Sequence, residues 1–280
     1  MKHRAIKDLS QVRQENLVSE ISTGLSKVYE NSLELWTSAR SLFESKNYRG
    51  YRVLEAFARE EAAKYLILLD ALRCPLSLFA SQLQKFNEHL AKGIYSKTCD
   101  WRPDSYRCLR EYVDSELDQF YLDGPNGIEW IFRNDIISSR EECIYVDYVA
   151  YDSDNHEWIT PRAKDRYSDL FPHLVVPGVI RVIQALRSTG IEKAEALKIY
   201  AEYWRNFSFD DSTHHHEFRQ AFIEFIKLLD NAGLLENVQE KEISILLEQY
   251  PYPLYREAMK ENKVSTESLK ERQENWSPEW

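Results

Sequence analysis

Arg59-Glu60-Glu61-x-x-Lys64 stands inside the most helix-like apolar stretch of the chain, residues 48–72, and its residue types suit proton transfer and anion binding. Tyr51, Leu54, Phe57, Ala58, Ala62, Tyr65, Leu66 and Leu69 recur at three-four spacing, which predicts a helix in the middle of a bundle. Charges on such a helix are costly unless paired, and Glu55 with Arg59 and Glu60 with Lys64 sit at the favourable i, i+4 spacing. Two intrahelical ion pairs on an exposed stripe would account for them. The next helical stretch carries Phe86-x-x-His89-x-x-Lys92. Were the two helices antiparallel neighbours, Arg59, Glu60, Glu61 and Lys64 would meet His89 and Lys92, as a catalytic cluster or as a polar tie between helices.

A second concentration of chemistry is Asp210-Asp211-x-x-His214-His215-His216-Glu217. Asp211 and His214, three apart, suggest metal ligands, but di-iron bundles present Glu-x-x-His twice and this chain has none. A helix N-cap at Asp211, Ser212 or Thr213 followed by solvated histidines is the better reading, so no metal or cofactor is assigned. The sequence has no Gly-x-Gly-x-x-Gly, no Gly-Lys-Ser/Thr phosphate loop and no Gly-x-Ser-x-Gly, which disfavours nucleotide-fuelled and serine-hydrolase chemistry.

The elements that must position these residues are helical. Residues 11–45 read as one amphipathic helix, with Ile21, Val28, Leu35 and Leu42 repeating every seven residues, a pattern suited to long helix contact within the chain or with a second copy. Gly24 interrupts that helix and marks a close approach, while Asn47 and Gly50 supply a short connection to residues 48–72. Pro75 ends the second helix; a third is predicted over 77–95 and a fourth over 105–120. The turn formers Asp123-Gly124-Pro125-Asn126-Gly127 close this bundle. Residues 140–149 and 157–161 then read as a small hairpin or flap, and helical patterning returns over 179–187, 191–206, 215–229 and 240–249. The organisation expected is a helical core over 1–122, a turn-rich insertion over 123–178, C-terminal helices over 179–250 packing on the core, and a polar tail over 251–280.

The balance of 36 Lys and Arg against 46 Asp and Glu gives a formal charge of −10, the wrong sign for bulk electrostatic binding of nucleic acid, so any RNA contact needs a local basic patch. Four cysteines without a C-x-x-C pair suggest reduced thiols, and neither a leader-like start nor a membrane-length apolar run is present, so a soluble cytoplasmic protein without membrane partners is expected. The 7 Trp, 17 Tyr and 12 Phe include several near element ends, a supply suited to protein-binding surfaces.

The helical hairpin, Glu60-Glu61-x-x-Lys64, Phe86-x-x-His89-x-x-Lys92, and Ile144-Tyr145-Val146-Asp147-Tyr148 followed by Trp158-x-x-Pro161 occur in this order, and over roughly residues 20–165 the chain resembles the AbiV-type abortive infection family of the HEPN-like superfamily. The resemblance implies an all-α, up-and-down HEPN-like bundle with a small β-hairpin or extended flap and additional C-terminal helices. It implies an anti-phage effector that arrests growth or translation, acts as a homodimer, and is gated by a phage or host protein. Many HEPN-like proteins are metal-independent ribonucleases that use an Arg and a His with four to six residues between them. Arg205, Asn206, Asp210 and His214 begin like that motif but place Asp210 where the His belongs; Arg166 and His173 have the spacing, with Pro172 interposed. The alternative function is thus an RNA endonuclease with a composite Arg/Glu/His site, and whether the chain is an enzyme stays open at this point.

Overall fold

The computed structural model describes residues 5–123, 130–150, 156–161, 174–236 and 238–275. Two long antiparallel helices, α1 (Gln14–Glu44) and α2 (Tyr48–Arg73), form its axis. Lys46 takes left-handed geometry (φ 62°) at the turn, and Asn47 caps α2 by accepting from the Gly50 amide at 3.0 Å. Gly50 itself belongs to the first turn of α2 rather than to the connection. A Cβ at Gly24 would meet Leu68 Cδ1 at 3.4 Å, ordinary van der Waals contact, so the packing of α1 on α2 does not itself require a glycine there. Ile21 and Val28 are buried, Leu35 is packed against the core, and Leu42 lies beside Gly50, so the seven-residue repeat is satisfied inside the chain.

The helix predicted over 77–95 is two helices, α3 (Leu76–Gln84) and α4 (His89–Lys97), separated by a 3-10 turn at Lys85–Asn87. Glu88 is extended (φ −91°, ψ 123°), and Lys85 turns inward to donate to the Leu254 carbonyl at 2.8 Å. This break lets α4 run beside α2 and places His89 in its first turn. After α5 (Tyr106–Glu116), shorter than expected, β1 (Phe120–Asp123) pairs antiparallel with β2 (Trp130–Arg133), a hairpin the sequence pattern did not reveal. Asn134 caps α6 (Asp135–Glu141) by accepting from Ile136 N at 2.9 Å, and the expected hairpin follows as β3 (Asp147–Ala150) with β4 (His156–Ile159), Tyr148 facing Trp158 across the pair.

Among the described residues the remaining helices are α7 (Gly178–Ser188), α8 (Ala194–Asn206), α9 (His215–Asn231), α10 (Glu240–Gln249) and α11 (Thr266–Glu274). Val179, Ile183, Leu197, Tyr200, Trp204 and Phe225 join the same buried cluster as Leu66 and Leu69, so the C-terminal helices complete the core. The architecture is all-α with two small antiparallel hairpins. The expected polar tail from residue 251 requires correction: Tyr252, Leu254, Tyr255 and Met259 are buried, and Leu269 anchors α11. Their apolar side chains, beginning with Tyr252 between Pro251 and Pro253, and the Leu254 amide, which donates to Asp70 at 2.7 Å, make this segment a strap across the bundle.

Candidate functional site

Neighbouring α2 and α4 bring distant polar residues together. The Glu60 carboxylate lies 2.9 and 3.0 Å from His89 Nδ1, and Lys92 Nζ donates to its Oε2 at 2.6 Å. His89 and Lys92, three residues apart, share one face of α4. Glu60 and Lys92 are largely enclosed, whereas the His89 side chain is 55% exposed. An ionised carboxylate accepts only, so Nδ1 carries the proton and Nε2 is the basic nitrogen of the ring. Lys92, 3.4 Å from Nδ1, is then a second donor to the same carboxylate rather than a partner of the ring.

Arg59 adds a guanidinium to the same pocket, whose volume is about 570 Å³. Its Nε donates to Glu55 at 3.0 Å and its Nη1 to Asp100 at 2.8 Å; burial opposes its charge, but the two carboxylates more than offset this and raise its pKa above the ordinary value. The other oxygen of Asp100 accepts from the Gly178 amide at 2.8 Å. Asp100 therefore links α2, the segment after α4 and the start of α7 around Arg59.

Glu61 and Lys64 take a different course. Lys64 pairs with Glu61 at i, i+3 and sits 5.0 Å over the Phe86 ring, and neither residue lines the pocket. The proposed set of six thus divides into Arg59, Glu60, His89 and Lys92 around one cavity and Glu61 with Lys64 beside it. The expected Glu60–Lys64 pairing gives way because Glu60 turns to α4.

The second candidate set occupies a capping turn. Arg205 and Asn206 are exposed at the end of α8, and Asn206 donates to the Glu202 carbonyl at 2.9 Å. Asp210 accepts from the Ser212 hydroxyl at 2.6 Å and its amide at 2.8 Å, bonds that lower its pKa. His214, not Asp211, Ser212 or Thr213, is the N-cap of α9, and its amide donates to Glu217 at 2.8 Å. Asp211 is paired with Arg110 at 2.7 Å. Among the described residues no group of three or more His, Cys, Asp or Glu is disposed to hold a metal. Arg166 and His173 lie outside the described residues.

One cluster escaped the sequence reading. Asp70 and Arg73 are 1% and 2% exposed, with Arg73 Nε donating to Asp70 at 2.6 Å. Tyr95 and the Leu254 amide donate to the other carboxylate oxygen at 2.5 and 2.7 Å, and Arg73 lies over the Trp204 and Tyr250 rings. Burial raises the Tyr95 pKa, so it stays a donor at neutral pH. The overlooked signal was two charges set in the apolar run Leu66-Ile67-Leu68-Leu69-Asp70-Ala71-Leu72-Arg73.

A family model described as AbiV, of HEPN type, matches residues 20–173, more than half of the chain. No curated protein and no solved structure matches it.

Proposed function

Because the chain belongs to the AbiV family of HEPN-type proteins, we propose that it is an abortive infection effector that arrests its bacterial host, and that it acts by metal-independent RNA cleavage at the Glu60–His89 pocket. The observation that carries this reading is the orientation of His89: Glu60 holds Nδ1 and leaves Nε2 as an exposed base beside Arg59 and Lys92. In the proposed reaction His89 Nε2 accepts the proton of a ribose 2′-hydroxyl, the resulting oxygen attacks the adjacent phosphorus, and the 5′-oxygen leaves with a proton from water. Arg59 and Lys92 face the charge that develops on the phosphoryl oxygens. A positioned base of this kind is worth about 10²–10⁴-fold in rate.

A second reading is favoured by the charge pattern: Arg59, Lys92 and Lys97 are each paired with carboxylates, and the chain carries −10. In that reading the protein captures a phage or host protein and stops growth or translation without chemistry of its own, and the exposed Tyr145, Tyr148 and Trp158 are its aromatic anchors. Gating by such a partner and homodimerisation belong to both readings. Since the α1 repeat is satisfied inside the chain, a dimer needs another face. A monomeric mass by light scattering at micromolar concentration removes the dimer.

Mapping new RNA 5′ ends after induction, with and without phage, separates the readings. Ends that appear within minutes and vanish with His89→Ala support cleavage at this pocket. Ends that survive His89→Ala and vanish with His173→Ala move the site to the Arg166–His173 segment. Growth arrest with unchanged ends leaves the binding effector.

A further inference from the structure

The pocket contains features that the Glu60 cluster does not use. Ser96, one turn beyond Lys92 on α4, lines it, is 4% exposed, and has a hydroxyl without a partner. A buried hydroxyl normally has a hydrogen bond, so an unpaired one on a cavity wall points to a group that arrives with a ligand. Trp101 and Tyr112 form an aromatic wall, their rings 5.0 Å apart, and Trp101 is 41% exposed, which leaves it ring surface for stacking. On the cationic side, Arg59 uses Nε and Nη1 on carboxylates and retains Nη2, while Lys97 reaches Asp135 at 2.6 Å at the rim. Ile136 closes the apolar side: it approaches Gly93 so nearly that a Cβ there would lie 2.1 Å from Ile136 Cγ2.

A π face, a hydrogen-bonding edge and an anionic phosphate are combined in one nucleotide. We infer that this pocket binds a single nucleoside phosphate unit, with its base on Trp101 and Tyr112, a base-edge acceptor taking the Ser96 hydroxyl, and its phosphate at Arg59 Nη2 and Lys97. The volume of about 570 Å³ falls in the range of roughly 300–1,000 Å³ usual for small-ligand sites. The unit is either one residue of an RNA chain or a free nucleotide. The inference rests on the pocket being the functional site, though binding does not require cleavage.

Calorimetric titration of the full chain with AMP, GMP, CMP and UMP, and with a 2′-O-methylated tetranucleotide that cannot be cleaved, tests it. At least one nucleotide should bind. Trp101→Ala should weaken it about tenfold, Trp101→Phe should restore most of the loss, and Ser96→Ala should weaken it severalfold and change the order of base preference. Trp101 lies at the surface, so its variants should keep the wild-type melting temperature, which separates lost stacking from lost fold. The inference is overturned if no nucleotide binds, if ribose 5-phosphate binds as tightly as any of the four, or if both alanine variants leave Kd unchanged. Tighter binding of the tetranucleotide assigns the site to an RNA residue, and tighter binding of a mononucleotide to a free ligand. Nucleotide binding that depends on Trp101, together with unchanged RNA ends in cells, would sink the cleavage reading and leave this one standing.

Discussion

Glu60 and Asp70 stand on the same helix, each joined to α4 and each matched with a cation, yet one cluster opens to solvent and the other is sealed. Glu60 meets His89 and Lys92 at the mouth of a cavity, with His89 more than half exposed. Asp70 meets Arg73, Tyr95 and the Leu254 amide with almost no exposure. The difference follows from what lies beyond each carboxylate. Past Asp70 the chain folds the strap of residues 250–255 and the rings of Trp204 and Tyr250 over the site, so the charges are fixed in one arrangement. Among the described residues no such cover lies over Glu60. A sealed ion pair is weak evidence for net stability, but breaking it exposes its full desolvation cost, whereas an open one can exchange partners with a ligand.

The largest effect expected from this contrast is on stability. Asp70→Ala leaves Arg73 charged and unpaired in the interior and should cost about 3–5 kcal/mol. Glu60→Gln should cost about 1–2 kcal/mol, because the glutamine carbonyl oxygen can still accept from Lys92, which lines the cavity. Urea unfolding of both variants checks the difference, and equal losses would break the comparison. Gly178→Ala comes next: its Cβ would lie 2.4 Å from Asp100 Oδ1 and 2.6 Å from the Cys99 carbonyl, so backbone must move. A loss of about 1–3 kcal/mol is expected. The same change should weaken nucleotide binding, because Asp100 also holds Arg59.

A smaller effect, confined to pH, marks the sealed side alone. Burial lowers the Lys85 pKa to about 8, with Asp70, Glu257, Cys74 and Glu88 pulling it back up. An unfolded lysine titrates at about 10.4, so between these values the unfolded form of this group binds more protons and Lys85 contributes a rise of stability with pH, no steeper than about 1.4 kcal/mol per unit. Buried Cys74 and Cys99, whose thiols burial pushes up, oppose this from about pH 8.5, and buried Tyr95 and Tyr200 join them above about pH 10; the share of Lys85 is therefore read from the difference between two proteins. Relative to the parent chain, Lys85→Met should lower the slope of stability against pH by up to about 1.4 kcal/mol per unit between roughly pH 8 and pH 10. Parallel slopes for the two proteins would show that Lys85 is not the group responsible.

The open cluster was readable in the sequence because its members sit at fixed helical spacing on two consecutive helical segments, and helix contact was the only further assumption. Even there, Phe86 to Lys92 read as mid-helix, since apolar periodicity runs on through Lys85–Asn87 and does not register the inward turn of Lys85. The sealed network was less accessible. Asp70 draws on Tyr95 and on a backbone amide at Leu254, and no side-chain pattern announces a backbone donor so far along the chain. The strap was misread as polar because the charged residues after Lys260 outweigh the aromatic run before them in composition, although each buried residue there packs individually.

The smallest stability effect carries the most functional weight. His89 is exposed and starts α4, so His89→Ala should change unfolding free energy by less than about 1 kcal/mol. Its loss should nonetheless abolish RNA cleavage, since no other described imidazole lines the pocket. His89→Gln refines the point: an amide can donate to Glu60 as Nδ1 does, but it cannot accept a proton near neutral pH. If His89→Gln keeps the melting temperature and the Lys92–Glu60 pair yet loses all new RNA ends, Glu60 is an orienting carboxylate and the ring is the base. If His89→Gln retains activity, the imidazole only ties α4 to α2, and the open cluster is a structural pair like the sealed one, lacking only its cover.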